Sequence, residues 1–396
     1  MVAAAWPARG FAADPPAPAF VVHTAAGKDL RGPLRALKAD WSVTLAGGEN
    51  TTVPGSDVLT LRRAGRPLPP MPAGEHLILA NGDRIPVRAP RLAGERLHFT
   101  HPDFDGGKEA SLPLAAVMAL WRTAPERADD PEALCRRLAA GSRSQDVVLL
   151  RNGDVLAGVL NALEGERAVV EAEGRSVPVP MSQVAAVFLS TELAQTLRPK
   201  GVYGRLTLAG GGRICVTSAA AERGQLTART LFGATLEVPL ERVVALDLYG
   251  GRVVYLSDLD PAKYEFLPYL DESWPLARDA NAAGHDLRLG GSTYAKGLGL
   301  HSHTRVRYRL GGAYRRFEAV VGLDERDGPG GSVRIRLLAD GKPLDLGGPA
   351  ELAAADGPRA ISVGVEGVRE LTLEVDFGKG GNVQDVVDWA DARLVR

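Results

Sequence analysis

The stretch "TYAKGLGLHSHTRVRYRL", residues 293–310, opens on a glycine-rich turn and carries His301 and His303 one residue apart. It then alternates Val306, Tyr308 and Leu310 with Arg305, Arg307 and Arg309. A period of two places one set of side chains on each face, so this is a strand with one apolar and one solvated side. The same alternation returns in "RFEAVVGLD" (316–324), "SVRIRLLADGKPL" (332–344), "AISVGV" (360–365) and "ELTLEVDFG" (370–378). Many short strands of this kind predict a β-sandwich. If the strand already runs at the histidines, His301 and His303 share the arginine face and could share a metal. No third ligand stands near; the preceding histidine, His285, lies 16 residues back. Catalytic zinc takes three protein ligands, so a metal shared by these two histidines is not the expected reading.

Working outward, the chain has 396 residues, which predicts several domains rather than one core. Its 46 glycines and 27 prolines fall between short apolar runs, as in all-β proteins with many turns. A net charge of −1 argues against a nucleic-acid partner. No apolar run is long enough for a membrane span. Cys135 and Cys215 make no disulfide framework and no zinc spacing, and are expected as separate buried thiols, a single bridge between them being the alternative. The leader "MVAAAWPARGFAADPPAPAF" is Ala-rich with an "FAAD" resembling a signal-peptide cleavage site. Residues 1–19 are therefore expected to be an export-signal remnant or a disordered tail.

The first 250 residues repeat one plan four times. The closing strands read "TTVPGSDVLTL", "ASLPLAAVMAL", "VPVPMSQVAAV" and "LEVPLERVVAL". Gly27, Gly82, Gly153 and Gly212 precede the prolines Pro54, Pro113, Pro180 and Pro239 by 27, 31, 27 and 27 residues. A constant offset of this kind marks an internal repeat. The Asn-Gly pairs at 81 and 152 predict tight hairpins with positive φ at both central residues. The prolines, lacking an N–H, belong at a strand start or an edge. The expectation is four small antiparallel β units of barrel-like, loosely Sm-like pattern, at 20–66, 74–123, 145–195 and 201–250. "DDPEALCRRLAAG" (129–141) has an Asp130 N-cap, Pro131 in its first turn and Gly141 as its stop. Residues 124–144 are thus expected as a helical linker between two pairs of units. "LHFTHPDFD" (97–105) could chelate a metal through its histidines and aspartates, or be a solvated loop.

After residue 250 the sequence resembles the NPCBM family of carbohydrate-binding modules. The resemblance rests on "YLSDL" (255–259), on "YAKGLGLHSHTRVRYRLGGAYRRFEAVVGLDE" (294–325), on "ADGKPL" (339–344) and on "VEGVRELTLEVDFGKGGNVQDVVDWADARL" (365–394). It covers residues 251–396 and implies a galactose-binding-like jelly roll, a secreted context and sugar binding. One position departs: Val386 follows Asp385 where the family usually has a histidine.

A sugar site needs an aromatic face for the apolar side of a pyranose and planar polar groups for its hydroxyls. Trp389, Tyr294 and Tyr314 could supply the first; Asp324, Asp385, Asp388, His301 and Lys296 the second. Trp389 could equally be a core anchor. A structural calcium is the one cofactor considered, with no ligands assignable. The chain is expected to be all-β: tandem small β units, one short linker helix and a jelly-roll sandwich. Its expected role is a secreted, periplasmic or cell-surface protein without catalysis, whose sandwich binds a glycan or polysaccharide, a galactose-type sugar being the candidate, and whose repeats act as scaffold. One alternative is a cell-surface interaction or structural protein. Another, a glycoside hydrolase or its accessory chain, lacks room for a catalytic barrel and a clear pair of catalytic carboxylates.

Overall fold

A computed structural model describes residues 18–126, 128–192, 194–268 and 272–396. The expected leader lies outside the described residues except at its end, where Ala19 opens the first strand.

The four repeats share one five-strand plan. In the first, Ala19–Thr24 pairs with both Asp29–Leu37 and Val58–Arg63, while Val43–Leu45 and Thr51–Val53 follow outward. The third and fourth repeats copy this order, starting from Asp146–Leu150 and Tyr203–Leu208. The second copies it with its second strand broken into Arg84–Pro86 and Arg88–Ala93. The prolines fall where their missing donor does least harm. Pro113, Pro180 and Pro239 each end the outer fourth strand, and a single 3-10 turn leads into the fifth. Among the described residues the fifth strand of each unit pairs with its first strand and with another unit's fifth, not with its own fourth, so no unit closes into a barrel.

The turns differ from expectation. Gly82 and Gly153 have positive φ, at 82° and 95°, but Asn81 and Asn152 do not. Each asparagine side chain instead accepts from the N–H two residues on, at 3.0 Å, which sets the turn by side-chain capping.

Thin units bury little alone, and these pool their cores. One apolar cluster runs through all four, from Phe20 to Leu248. Their partners are not the sequential pairs expected. Closing strand Val58–Arg63 of the first unit pairs with Val243–Tyr249 of the fourth. Closing strand Val117–Trp121 of the second pairs with Val184–Phe188 of the third. The pairs are nested, one inside the other along the chain. The loop at 101–105 ties the second unit to the fourth: Asp103 takes a bidentate contact from Arg242 at 2.6 and 2.8 Å, and Asp105 accepts from Thr235 N–H. It is therefore neither a metal chelate nor a loop free in solvent.

The helix Pro131–Ala140 sits where expected, with Asp130 accepting from Ala133 N–H at 3.0 Å and Gly141 at its end. Cys135 and Cys215 are free and buried.

Residues beyond 250 form a sandwich of two six-stranded antiparallel sheets. One is ordered Ala277–Arg278, Gly297–His301, Val386–Val395, Arg316–Leu323, Arg359–Gly364, with Val253–Tyr255 pairing Val386–Val395. The other is ordered Lys263–Phe266, Thr304–Arg309, Glu370–Phe377, Ser332–Ala339, Lys342–Pro343, with Glu351–Ala353 pairing Ser332–Ala339. Val306, Tyr308, Phe317, Ile335, Leu373 and Trp389 fill the space between.

The stretch quoted first crosses from one sheet to the other. His301 ends a strand of the first, and His303, at φ 61°, sits in the turn that starts the second. The two histidines therefore do not share a strand face. The central strand Val386–Val395 carries a bulge at Asp391, φ 49°, where the register shifts. A bulge reverses the alternation beyond it. Val387 and Trp389 before it, and Ala392 and Leu394 after it, thus all enter the core.

Candidate functional site

Strand Gly297–His301 organises the site. It is pressed between Val386–Val395 and the loop at 280–282; a Cβ on Gly299 would stand 2.3 Å from the carbonyl carbon of Asn281. Only glycine permits so close a backbone approach. The sequence candidates divide along this strand into three places.

At its open end lie His301 and Asp385. His301 is buried and paired opposite Val386. Trp274 stacks on its ring, centroids 4.6 Å apart and planes 5° from parallel. Burial pushes the His301 pKa down, so the imidazole is neutral at pH 7. Its Nδ1 is 3.3 Å from Ser302 Oγ, which donates to Asn382 Oδ1 at 3.1 Å. Asp385 accepts from Ser332 N–H at 3.2 Å through one oxygen, while its other oxygen is buried without a partner. Burial raises its pKa to about 6, against the opposing effect of Ser302 and the Ser332 N–H. The surrounding rim is apolar and aromatic. His303 packs on Phe377 at 3.9 Å, Leu267 N–H bonds the His303 carbonyl, and Leu267 and Val383 are 67% and 65% exposed. The Tyr264 hydroxyl donates to the Trp274 carbonyl and holds that loop in place. Val386, the position of the expected histidine, is buried and packed.

In the interior lie Asp324, Asp388 and Trp389, all fully buried. Trp389 is thus a core anchor and has no face to offer a sugar. Asp324 and Asp388 both accept from the Arg288 N–H, at 3.1 and 2.9 Å, and the second Asp388 oxygen has no partner. Burial first, then the neighbouring Asp324, holds the Asp388 pKa well above the usual carboxylate range. A carboxylic acid at Asp388 can share its proton with Asp324. Both are tied to the same Arg288 N–H in the interior, so they act as a structural pair.

At the far end lie Lys296, held by the sandwich's own carboxylates, and Tyr294, which meets the repeats. Lys296 Nζ pairs with Asp258 at 2.6 Å and Asp279 at 2.7 Å. Tyr294 packs against Leu68, Val244 and Ala245 and so belongs to the join between sandwich and repeats. That join is dense in charge. Buried Asp286 takes Arg84 in bidentate fashion, at 3.1 and 3.2 Å, and also pairs with Arg136. Glu132 meets Arg288 and Arg326; Asp130 meets His285 and Arg326. The Asp391 bulge reaches Arg62 at 3.0 Å.

No group of three or more His, Cys, Asp or Glu side chains placed to hold a metal ion occurs among the described residues. Calcium takes six to eight oxygens. The Asp324–Asp388 pair, already committed to the Arg288 N–H, does not fit it.

Trp274, Asn382 and Ser302 were not among the sequence candidates. Trp274 lies 27 positions before His301, in a loop with no period. An aromatic beside a proline in "ESWPL" is the one signal that could have marked it.

Residues 252–395 match the family model described as the NPCBM/NEW2 domain, and this part of the chain is an NPCBM domain. A Renibacterium salmoninarum protein named "Putative endo-alpha-N-acetylgalactosaminidase" is 33% identical over 116 residues, which are 29% of this chain and 8% of that protein. The chain thus spans a small fraction of that relative's length. Among solved structures, a CBM51 from Clostridium perfringens GH95, in complex with methyl-galactose, is 26% identical over 36% of this chain and 99% of its own, with a TM-score of 0.32. A CBM51-2 and INT domain pair from Clostridium perfringens ZmpB, in complex with GlcNAc, is 24% identical over 47% of this chain and 42% of its own, with a TM-score of 0.33.

Proposed function

We propose that this chain is a non-catalytic carbohydrate-binding protein, secreted, periplasmic or displayed at the cell surface, whose sandwich holds a glycan at its open end while the repeats act as scaffold. The observation that carries the reading is the chain of groups from Trp274 and His301 through Ser302 to Asn382 and Asp385. It sets a buried neutral imidazole and a buried carboxylate, one oxygen of which has no partner, behind the half-buried Trp274 and Asn382 and beside an aromatic and apolar rim. That mixture suits a pyranose, whose ring faces are apolar and whose hydroxyls both donate and accept. The NPCBM match over the same residues supports it. The lack of catalysis is argued from the carboxylates. Glycoside hydrolysis needs two flanking the scissile bond. Near that end, Asp376 faces His303 and Arg336, at 3.4 and 3.7 Å, and Asp385 is bonded to the Ser332 N–H, which among the described residues leaves the exposed Glu272 beside His301 as one free carboxylate rather than a pair. No helix among the described residues is long and apolar enough to cross a membrane.

The test is a glycan array probed with the full chain, with and without added calcium, followed by affinity measurements on Trp274→Ala and Asp385→Asn. Retention of one or more glycans, weakened in both variants, is expected. Failure to retain any glycan would overturn the reading and leave the exposed Leu267 and Val383 as a protein-docking surface.

A further inference from the structure

A cleft of about 970 Å³ lies between the repeats and the sandwich. Ligand sites commonly measure about 300–1,000 Å³. Its walls come from the second and fourth repeats, the helix and the sandwich, so none of these parts makes it alone. It lies at the Lys296 end of strand Gly297–His301, away from the open end.

Its chemistry is lopsided. Seven lining side chains are Lys or Arg and three are Asp or Glu. Buried Asp83 and Asp286 stand behind the wall and offset part of the excess. Arg205 is buried, its Nε 3.8 Å from Asp83 Oδ1, too far for a hydrogen bond. Arg205 Nε, Arg136 Nε and the buried Ser257 hydroxyl all lack a hydrogen-bond partner, and all three residues line the cleft. Unpaired buried donors are costly, so three of them around one cleft point to a missing acceptor, while the remaining nitrogens of Arg136 bond Asp286 and the Asp279 carbonyl and Arg205 bonds the Asn81 carbonyl. Arg213, behind the wall, is pushed well below its usual pKa by burial and by Arg84, Arg205 and Arg136. Seven cations against three carboxylates on the wall, with Asp83 and Asp286 behind it, leave the cluster net positive. At the surface, Arg137 and Arg198 are exposed and in no ion pair with a described residue. The cleft also has an aromatic wall. Half-buried Tyr203 stacks on Tyr249 at 5.3 Å, and Tyr249 on Tyr255 at 5.2 Å.

We propose that this cleft binds an acidic saccharide, its carboxylate set against Arg136, Arg205 and Ser257 and its ring against Tyr203. The anion follows from the charge and the unpaired donors; that it is carried on a sugar rests on the carbohydrate-binding reading above. Charge attraction gathers the ligand at Arg137 and Arg198, and the aromatic wall holds the ring.

The experiment is calorimetric titration of the full chain with trigalacturonate and sialyllactose, against neutral galactotriose and lactose, in low and high salt. At least one acidic probe binds at least ten times more tightly than its neutral counterpart, and loses affinity in high salt. The exposed double variant Arg137→Glu/Arg198→Glu weakens that binding at least tenfold without touching the fold, and Ser257→Ala weakens it independently. Equal affinity for acidic and neutral probes would overturn the proposal, as would full acidic binding by the double variant. Displacement of the acidic probe by inorganic phosphate at equal concentration would also overturn it, because a bare anion site would suffice. Loss of this result alone, with neutral glycans still bound in an Asp385-dependent way, separates its failure from failure of the open-end reading.

Discussion

Replacing Asp388 by asparagine should stabilise the sandwich at neutral pH, although it alters a fully buried polar residue. The wild-type side chain accepts from the Arg288 N–H through one oxygen and leaves the other unpartnered beside Asp324. Asparagine keeps the acceptor and puts an NH2 where the orphaned oxygen stands, able to donate to Asp324. Once the proton shared with Asp324 is lost, an unsatisfied buried polar group costs about 1–3 kcal/mol, and the new bond removes that cost. The pH dependence fixes the sign. The folded pKa of Asp388 lies well above its ordinary 3.8, so the folded state holds the proton more tightly than the unfolded chain. That contribution is full below pH 3.8 and is lost as pH rises through the raised folded value. The asparagine variant has nothing to lose, so its advantage is near zero at pH 4 and larger at pH 8. For a domain of this size the gain corresponds to roughly 2–10 °C in melting temperature. Thermal unfolding of the full chain at the two pH values, followed by circular dichroism, measures it. Destabilisation at pH 8 equal to or greater than that at pH 4 would refute the reasoning. So would a calcium-induced rise in wild-type melting temperature that the variant lacks, because the pair would then be an ionised cation site.

The two tryptophans should separate binding from stability. Trp389→Ala empties a fully buried site and costs about 3–5 kcal/mol of sandwich stability in denaturant titration, whereas Trp274→Ala lowers glycan affinity with little change in melting temperature. Glycan affinity at the open end should fall as pH drops from 7.5 to 5, because Asp385, with its pKa near 6, goes from nearly fully ionised to roughly one-tenth ionised and loses acceptor strength. Asp385→Asn should bind more weakly at pH 7.5 and show a flat profile by titration calorimetry. Asp286→Ala leaves Arg84 and Arg136 without their buried partner and should loosen the join by about 3–5 kcal/mol. Limited proteolysis should then release the sandwich near residues 250–262 faster than from the wild type.

How far the sequence reaches depends on the range of the interaction. The alternation of Val306, Tyr308 and Leu310 is local, and it predicted a strand of the sandwich that the fold contains. The Gly-to-Pro offsets are also local and marked the four repeats. Which closing strands pair was not legible, since "VLTLRR" and "VVALDLY" are apolar enough to suit any partner. Trp389 read as ambiguous because the bulge at Asp391 breaks the parity from which strand faces are inferred. Tyr294 lies in a family block yet packs on Leu68, Val244 and Ala245 of the repeats, a contact set by residues far away in the chain. The open-end group was half legible: His301 and Asp385 were singled out, but Trp274 reaches them from an irregular loop.

The nested pairing of the repeats has a consequence for synthesis. The second and third units are neighbours in the chain, so each emerges beside its partner. The first unit must wait for the fourth: Arg62 and Asp247, which meet across that join, lie 185 residues apart. At about 5–20 residues per second the ribosome takes roughly 10–40 s to cover that interval. Throughout it, strand Val58–Arg63 presents one unpaired edge, a template for pairing with other chains. Its final residues are Arg62 and Arg63, and charge at an exposed edge discourages such pairing. In the finished fold the same Arg62 binds Asp247 and Asp391. The residue that shields the nascent edge is the one that later secures the fourth repeat and the sandwich to the first.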